Sequence, residues 1–285
     1  MSGHRPIGDL DPPLGAVREA VARALGEDLG VLGDITSIAV IPEEAVGRAS
    51  VVARQEGILA GTAAATEAFR QVDPNVAVTW SVTDGHEVRD DQVLGRVEGS
   101  LRSILTAERT ALNFLTHCSG VATLTRRFVR TARGRARIRD TRKTLPGLRA
   151  LEKAAVRAGG GFNHRESLAD AVLIKDNHLV QLGLTQAIER ARARWPGRVV
   201  EVECDTLEQV AHARDARPDL VLLDNMTPDE VRQAVALLGG SIPTEVSGGV
   251  TLATVGAYAE AGVDFVSVGA ITHSAPALDL ALDLD

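Results

Sequence analysis

From residue 134 onward, short apolar runs of strand length return at intervals of roughly 20–30 residues. They are Ala136 to Arg139, Ala171 to Lys175, Val199 to Cys204, Leu220 to Asp224, Thr244 to Ser247 and Phe265 to Gly269. Helical stretches separate the later ones: Thr185 to Arg194, Leu207 to Arg214, Pro228 to Leu238 and Leu252 to Ala261. A strand followed by a helix and another strand can pair only in parallel, because antiparallel neighbours need no crossover of that length. Six such returns with no GxGxxG after the first strand point to a closed α/β barrel rather than a dinucleotide-binding sheet.

The first part of the chain has a different grammar. Val17 to Leu25 predicts a helix, Ala49 to Ala53 and Val76 to Val82 predict strands, and an Ala-rich helix is expected from Thr62 to Gln71. Asp84-Gly85 and Asp90-Asp91 mark turns around short strands that end near Val97. This describes a small mixed α/β domain, with the change of character near residue 118. Between the halves, a helix is expected from Ser100 to about His117. Its period puts Glu108 and Arg109 beside the apolar stripe, so Arg109 needs a carboxylate, an anionic ligand or a snorkelling path to water.

Composition excludes several classes. Hydrophobic residues make up 45% and charged residues 24%, ordinary for a globular chain, and aromatics are 3%, so the core is aliphatic. A net charge of -7 gives no general attraction to nucleic acid or anionic membrane. Met1 to Gly15 lacks the apolar segment of a signal peptide, and no run approaches the roughly 20 residues of a membrane span. Cys118 and Cys204 are far apart in apolar surroundings, which points to buried thiols in a reducing, cytoplasmic setting. The five histidines His4, His86, His117, His212 and His273 are expected at surface or packing positions.

The polar residues of the second half gather where strands end. Asp140, Lys175, Glu201, Glu203 and Asp224 end or interrupt strands, and Ser247-Gly248-Gly249 and Gly269-Ala270 follow the last two. Such ends converge on one mouth in an α/β barrel. Arg142, Lys143, His164, Arg165 and Lys175 form a dense cationic group, as a small, multiply charged anion requires. The carboxylates suit ribose hydroxyls, a divalent metal or a carbon that becomes cationic. The glycine segments suit a phosphate held by backbone N–H groups. Gly159-Gly160-Gly161 precedes Asn163-His164-Arg165 and brings backbone close to a ligand or over it.

Three blocks carry a family resemblance: Arg139-Asp140-Thr141-Arg142-Lys143-Thr144-Leu145-Pro146-Gly147-Leu148-Arg149, Gly159-Gly160-Gly161-Phe162-Asn163-His164-Arg165 and Ile174-Lys175-Asp176-Asn177-His178. They closely resemble the quinolinate phosphoribosyltransferases. The likeness continues through Glu201-Val202-Glu203, Leu223-Asp224-Asn225-Met226, Glu245-Val246-Ser247-Gly248-Gly249 and Val268-Gly269-Ala270-Ile271-Thr272-His273-Ser274. Upstream, Glu27-Asp28-Leu29, Gly33-Asp34-Ile35-Thr36 and Leu105-Thr106-Ala107-Glu108-Arg109-Thr110 are similar too. It covers the chain from about residue 16 onward; Ile271, where the family often has Leu, conserves volume.

The resemblance implies an α/β chain with an N-terminal α/β sandwich domain (1–118) and an incomplete, six- to seven-stranded α/β barrel of parallel strands (119–274). The tail 275–285 is expected to pack back on the first domain. The implied reaction joins quinolinate to phosphoribosyl pyrophosphate with loss of CO2, giving nicotinate mononucleotide in NAD biosynthesis. Arg142, His164, Arg165 and Lys175, with Arg109 from the partner of a homodimer, are expected to hold the two carboxylates. Lys143 and Lys175 would meet phosphates, and Glu203 and Asp224 would take ribose hydroxyls and Mg²⁺, with Glu201 beside them. Ser247, Gly248, Gly249, Gly269 and Ala270 would cradle the 5′-phosphate. Lys143, Lys175, Glu203 and Asp224 form the expected catalytic set.

Two alternatives stay open at this point. One is a related phosphoribosyltransferase acting on nicotinate or another acid, or the related protein associated with molybdenum transport; the number of cations suits two carboxylates better than one. The other is nucleic-acid binding through residues 126–143, which hold nine basic residues and one acid. Against it stand the acidic chain and the absence of stacking aromatics apart from Phe128.

Overall fold

A computed structural model describes residues 10–285; the reading of residues 1–9, His4 included, lies outside the described residues. The chain begins with α1 (Leu14–Leu29), α2 (Ile35–Val40), β1 (Val46–Ala53), β2 (Gly57–Ile58) and α3 (Thr62–Val72). It continues through β3 (Ala77–Trp80), β4 (Glu87–Val88), β5 (Val93–Ser100), α4 (Leu101–Ala132), β6 (Arg137–Arg139) and α5 (Arg149–Ala158). Then follow β7 (Val172–Ile174), α6 (Leu184–Arg194), β8 (Val200–Cys204), α7 (Leu207–Ala216), β9 (Leu220–Asp224) and α8 (Pro228–Leu238). The last elements are β10 (Thr244–Ser247), α9 (Val255–Glu260), β11 (Phe265–Ser267), α10 (Ala270–His273) and β12 (Leu280–Leu284).

One compact unit comprises residues 10–126, 144–160 and 271–285. Its antiparallel sheet has the order β12-β1-β5-β3, with β12 paired to β1 from Ala49–Leu284 to Ala53–Leu280. Helix α1 buries Val17, Ala20, Val21 and Leu25, the spacing of one helical face, and lies against α3, which buries Ala64, Ala65, Ala68 and Phe69. Each fully buried Val, Leu or Phe contributes about 1.5–3 kcal/mol.

Helix α4 runs well past His117, where the sequence suggested its end. Gly120 reads as punctuation, yet it is a close approach: a Cβ there would strike the Pro276 carbonyl oxygen. Arg133 and Gly134, at φ 51° and 71°, end the helix instead. Helix α5 was not predicted. It buries Glu152 and Lys153 completely, so its apolar period is broken by charged residues on the inner face.

The second unit comprises residues 127–143 and 161–270. Its six-stranded sheet has the order β6-β11-β10-β9-β8-β7, and its five strand pairings are all parallel. Strands β7 to β11 are neighbours in chain order, each joined to the next through a helix. The helix starts are written locally. Thr206 with Gln209 and Thr227 with Glu230 form capping boxes at α7 and α8, Pro228 opens α8, and Gly239 closes it in the left-handed region.

The repeats alone suggested a closed barrel, but β6 and β7 are the two sheet edges and do not pair. Residues 144–160, which lie between them in sequence, belong to the other unit, so no crossover helix spans that seam. A single bridge from Arg139 to Phe162 extends the β6 edge. The chain is thus mixed α/β: a small antiparallel N-terminal sheet and an incompletely closed parallel one. Among the described residues, no helix is long and apolar enough to cross a membrane. Cys118 and Cys204 are free and buried; burial pushes the Cys204 thiol up to about 12.

Candidate active site

Strand alternation builds the site. In β8, Val200, Val202 and Cys204 face one way and Glu201 and Glu203 the other; in β9, Leu222 and Asp224 share a face. The ladders align these positions. Leu173 pairs with Glu201, Glu203 with Leu222, Leu222 with Glu245, Asp224 with Ser247, and Ser267 with Arg139. One face of the second unit's sheet therefore carries two polar layers. Arg139, Asp224, Ser247 and Ser267 lie toward the strand ends, and Glu203 and Glu245 lie one step deeper, with Glu201 two residues below Glu203.

A cavity of about 380 Å³ opens on this face. Arg142, Lys143, His164, Arg165, Lys175, Glu203, Asp224 and Ser247 line it, together with Thr141, Leu173, Leu222, Glu245 and Ser267. Of the other candidates, Glu201 is only 2% exposed and does not line the cavity; nor do Gly248, Gly249, Gly269 and Ala270. Arg109 is an exposed residue of the first unit.

Charges pair across strands. Lys175 Nζ donates to Glu203 Oε2 at 2.5 Å. Glu203, Asp205 and Asp224 bring carboxylate oxygens within 4.8 Å of one another. Burial, then the charges of Glu203 and Asp205, push the Asp224 carboxyl above its ordinary value, with Lys175 and Lys143 opposing. The Arg165 guanidinium is pulled down by burial and by Arg142, and it donates to the Ala171 carbonyl at 3.2 Å. Such crowding of like charges, with cations beside cations and carboxylates beside carboxylates, suits a ligand that carries both a dense anion and a group for hard oxygen donors.

Loops are held by specific bonds. His178 Nδ1 accepts from the Lys175 backbone N–H at 2.9 Å, which ties the turn Asp176–His178 back onto β7. Asp140, fully buried, accepts from Asn163 Nδ2 at 2.5 Å and from the His164 backbone N–H at 2.8 Å. Gly248 has φ 92°, and a Cβ there would collide with the Asn225 side chain, so only glycine lets the β10 and β9 loops meet. Asn225 itself, at φ 55°, donates its backbone N–H to the Ser247 carbonyl at 3.0 Å. In the first unit, Glu152 accepts from His117 Nε2 at 2.9 Å and from the Leu145 backbone N–H at 3.2 Å, pinning the loop around Gly147. His117, expected merely to pack, is part of that anchor.

The sequence reading missed Thr141, Leu173, Leu222, Asp205, Glu245 and Ser267. A signal existed for one of them: Glu245 lies two residues before the candidate Ser247 in β10 and must share its face. The basic run 126–143 divides among α4, a turn and β6. Arg135 pairs with Glu260 at 2.9 Å, and Arg139 turns inward to Glu245 at 2.6 Å.

Comparison with known proteins agrees in both halves. The family model described as quinolinate phosphoribosyl transferase, N-terminal domain, matches residues 34–119, and the C-terminal domain model matches residues 121–283. A nicotinate-nucleotide pyrophosphorylase [carboxylating] from Mycobacterium leprae is 45% identical over 276 residues, covering 94% of this chain and 97% of that protein. A probable enzyme of the same name from Bacillus subtilis is 42% identical, covering 90% of each. Among solved structures, the nicotinate-nucleotide pyrophosphorylase from Francisella tularensis superposes with a TM-score of 0.91 at 40% identity. That match covers 96% of this chain and 98% of the other. With both domain models matched in order along nearly its whole length, the chain belongs to the quinolinate phosphoribosyl transferase family.

Proposed function

We propose that this protein transfers the phosphoribosyl group of phosphoribosyl pyrophosphate to quinolinate, with loss of CO2, giving nicotinate mononucleotide and pyrophosphate for NAD biosynthesis. The observation that carries the reading is one cavity lined by Arg142, His164, Arg165 and Lys175 beside Glu203 and Asp224. The four cationic or protonatable groups receive the two ring carboxylates, arginine through a planar fork and lysine as a point charge. Lys143 and Lys175 meet phosphate oxygens. Ser247, Gly248, Gly249, Gly269 and Ala270 take the 5′-phosphate, and Glu203 and Asp224, with Glu201 beneath, face the ribose.

In the reaction, the ring nitrogen attacks the anomeric carbon as pyrophosphate leaves. Positive charge builds on that carbon, and Glu203 and Asp224 stabilise it. The new positive ring nitrogen then stabilises the ylide carbanion left on the ring carbon when the adjacent carboxylate departs as CO2, and a proton from water completes the product. The chain supplies positioning and charge compensation, with no covalent nucleophile. The carboxylates Glu203 and Asp224, with Asp205 alongside, are hard oxygen donors of the kind Mg²⁺ prefers, and their mutual repulsion fits a divalent cation. When bound there, Mg²⁺ would neutralise the departing pyrophosphate.

The proposal extends to a cytoplasmic homodimer in which Arg109 completes the partner's site. Arg109 is exposed on α4. Val31, Leu32, Ile35, Ile38 and Val40 are all more than half exposed, an apolar strip of the kind that marks an interface. The two free cysteines suit a reducing compartment. The test is incubation of the purified protein with quinolinate, phosphoribosyl pyrophosphate and Mg²⁺, with detection of nicotinate mononucleotide and CO2. Absence of product, or equal use of nicotinate, overturns the reading.

A further inference from the structure

Beneath the cavity lies a buried charged layer that substrate binding alone does not explain. Glu245 is fully buried and Glu201 is 2% exposed, positions where carboxylates are rare unless paired. Glu245 Oε2 accepts from Arg139 at 2.6 Å, and Glu245 Oε1 accepts from Ser267 Oγ at 2.5 Å. His164 Nε2 lies 3.1 Å from Glu201 Oε2 and 3.4 Å from Glu245 Oε1. Glu201 Oε1 has no hydrogen-bond partner, Oε2 meets the imidazole, and the Arg165 charge acts on the same carboxylate.

We propose that Glu245 is a positioning residue which, with Glu201, holds His164 so that one ring nitrogen donates inward to the carboxylate pair and the other donates to a carboxylate of the substrate. This deepens the quinolinate reading and rests on it. The groups facing the ring are Glu201 on β8, Glu245 on β10 and Arg139 on β6, with Arg142, Arg165 and Lys175 around the same cavity and Asp140 on its backbone N–H. Burial and the charge of Glu201 push the Glu245 carboxyl above its ordinary value, and the charges of His164 and Arg139 oppose them, so the imidazolium form of His164 is the one that favours ionised Glu245. Burial pulls the His164 imidazole down, but the hydrogen bond to Glu201 and the charges of Glu245 and Glu201 outweigh it and raise it. The imidazolium, and the donor it offers, therefore persists to higher pH than an ordinary histidine allows and is lost as pH rises through the raised value.

Two measurements test this. The first is NMR titration of the His164 ring in the ligand-free full chain, which needs no substrate and so stands apart from the functional reading. The wild type is expected to titrate above the ordinary value of about 6.5, and Glu245→Gln, which removes a negative charge while keeping shape, is expected to titrate lower. The second is KM for quinolinate against pH. For Glu245→Gln, KM is expected near wild type at about pH 6 and raised about tenfold at about pH 8, with kcat at saturation little changed. Glu201→Gln should move His164 in the same direction. A wild-type His164 that titrates at or below the ordinary value overturns the proposal, even where both variants fail to fold. So does a folded Glu245→Gln whose KM rises equally at both pH values, the outcome expected of a purely structural role.

Discussion

Lys175 and Arg142 illustrate what a single residue at a strand end can do. Lys175 follows β7, reaches Glu203 across the ladder and lines the cavity, while its side chain keeps 42% exposure. Replacing it removes a charge-assisted contact and little packing. Lys175→Ala and Arg142→Ala are each expected to lower kcat/KM by roughly 10- to 150-fold, the value of a bond worth about 1.5–3 kcal/mol. Circular dichroism should show both folded, and near-normal turnover would refute the assigned role. Gly248 makes the opposite case. Gly248→Ala forces φ 92° on a residue with a Cβ and pushes it into Asn225, so a cost of about 1–3 kcal/mol and a displaced loop are expected. Activity assays and thermal melts on the same sample would separate the two effects.

At the scale of elements, local chemistry and long-range contact divide the credit. The starts of α7 and α8 are readable because their capping boxes satisfy the helix's own N–H groups within four residues. Thr227→Ala should therefore destabilise the protein by about 1 kcal/mol, measured by urea denaturation, with no change in KM. Helix α4 behaves differently. Its continuation through Gly120 depends on a segment more than 150 residues later in the chain, which no window around Gly120 reveals. Gly120→Val is expected to lower Tm substantially, because the Pro276 backbone has no room to retreat. Helix α5 was illegible for a related reason: Glu152 and Lys153 sit on its inner face, and Glu152 is held by His117 and the Leu145 amide.

For the whole molecule, the proposed shared site makes a prediction that no monomer can satisfy. Arg109→Ala and Lys175→Ala should each lose roughly 10- to 150-fold in activity alone. Mixed and reassembled, a homodimer with one intact site per hybrid should regain about a quarter of wild-type activity, since half the dimers are hybrid and one site in each is whole. No recovery after verified subunit exchange would show that Arg109 acts within its own chain or not at all.

The sequence by itself determined the parallel strand–helix order, the helix caps and the location of cations and carboxylates at strand ends. These follow from periodicity, local hydrogen bonding and chain connectivity, all of which operate over short spans. Only the tertiary structure decided that β6 and β7 stay apart, that Gly120 is a contact point, and that Glu201 and Glu245 lie under His164. Those outcomes depend on which residues meet across strands. A carboxylate reads the same in sequence whether it faces water or a buried imidazole, and the ladder register settles which.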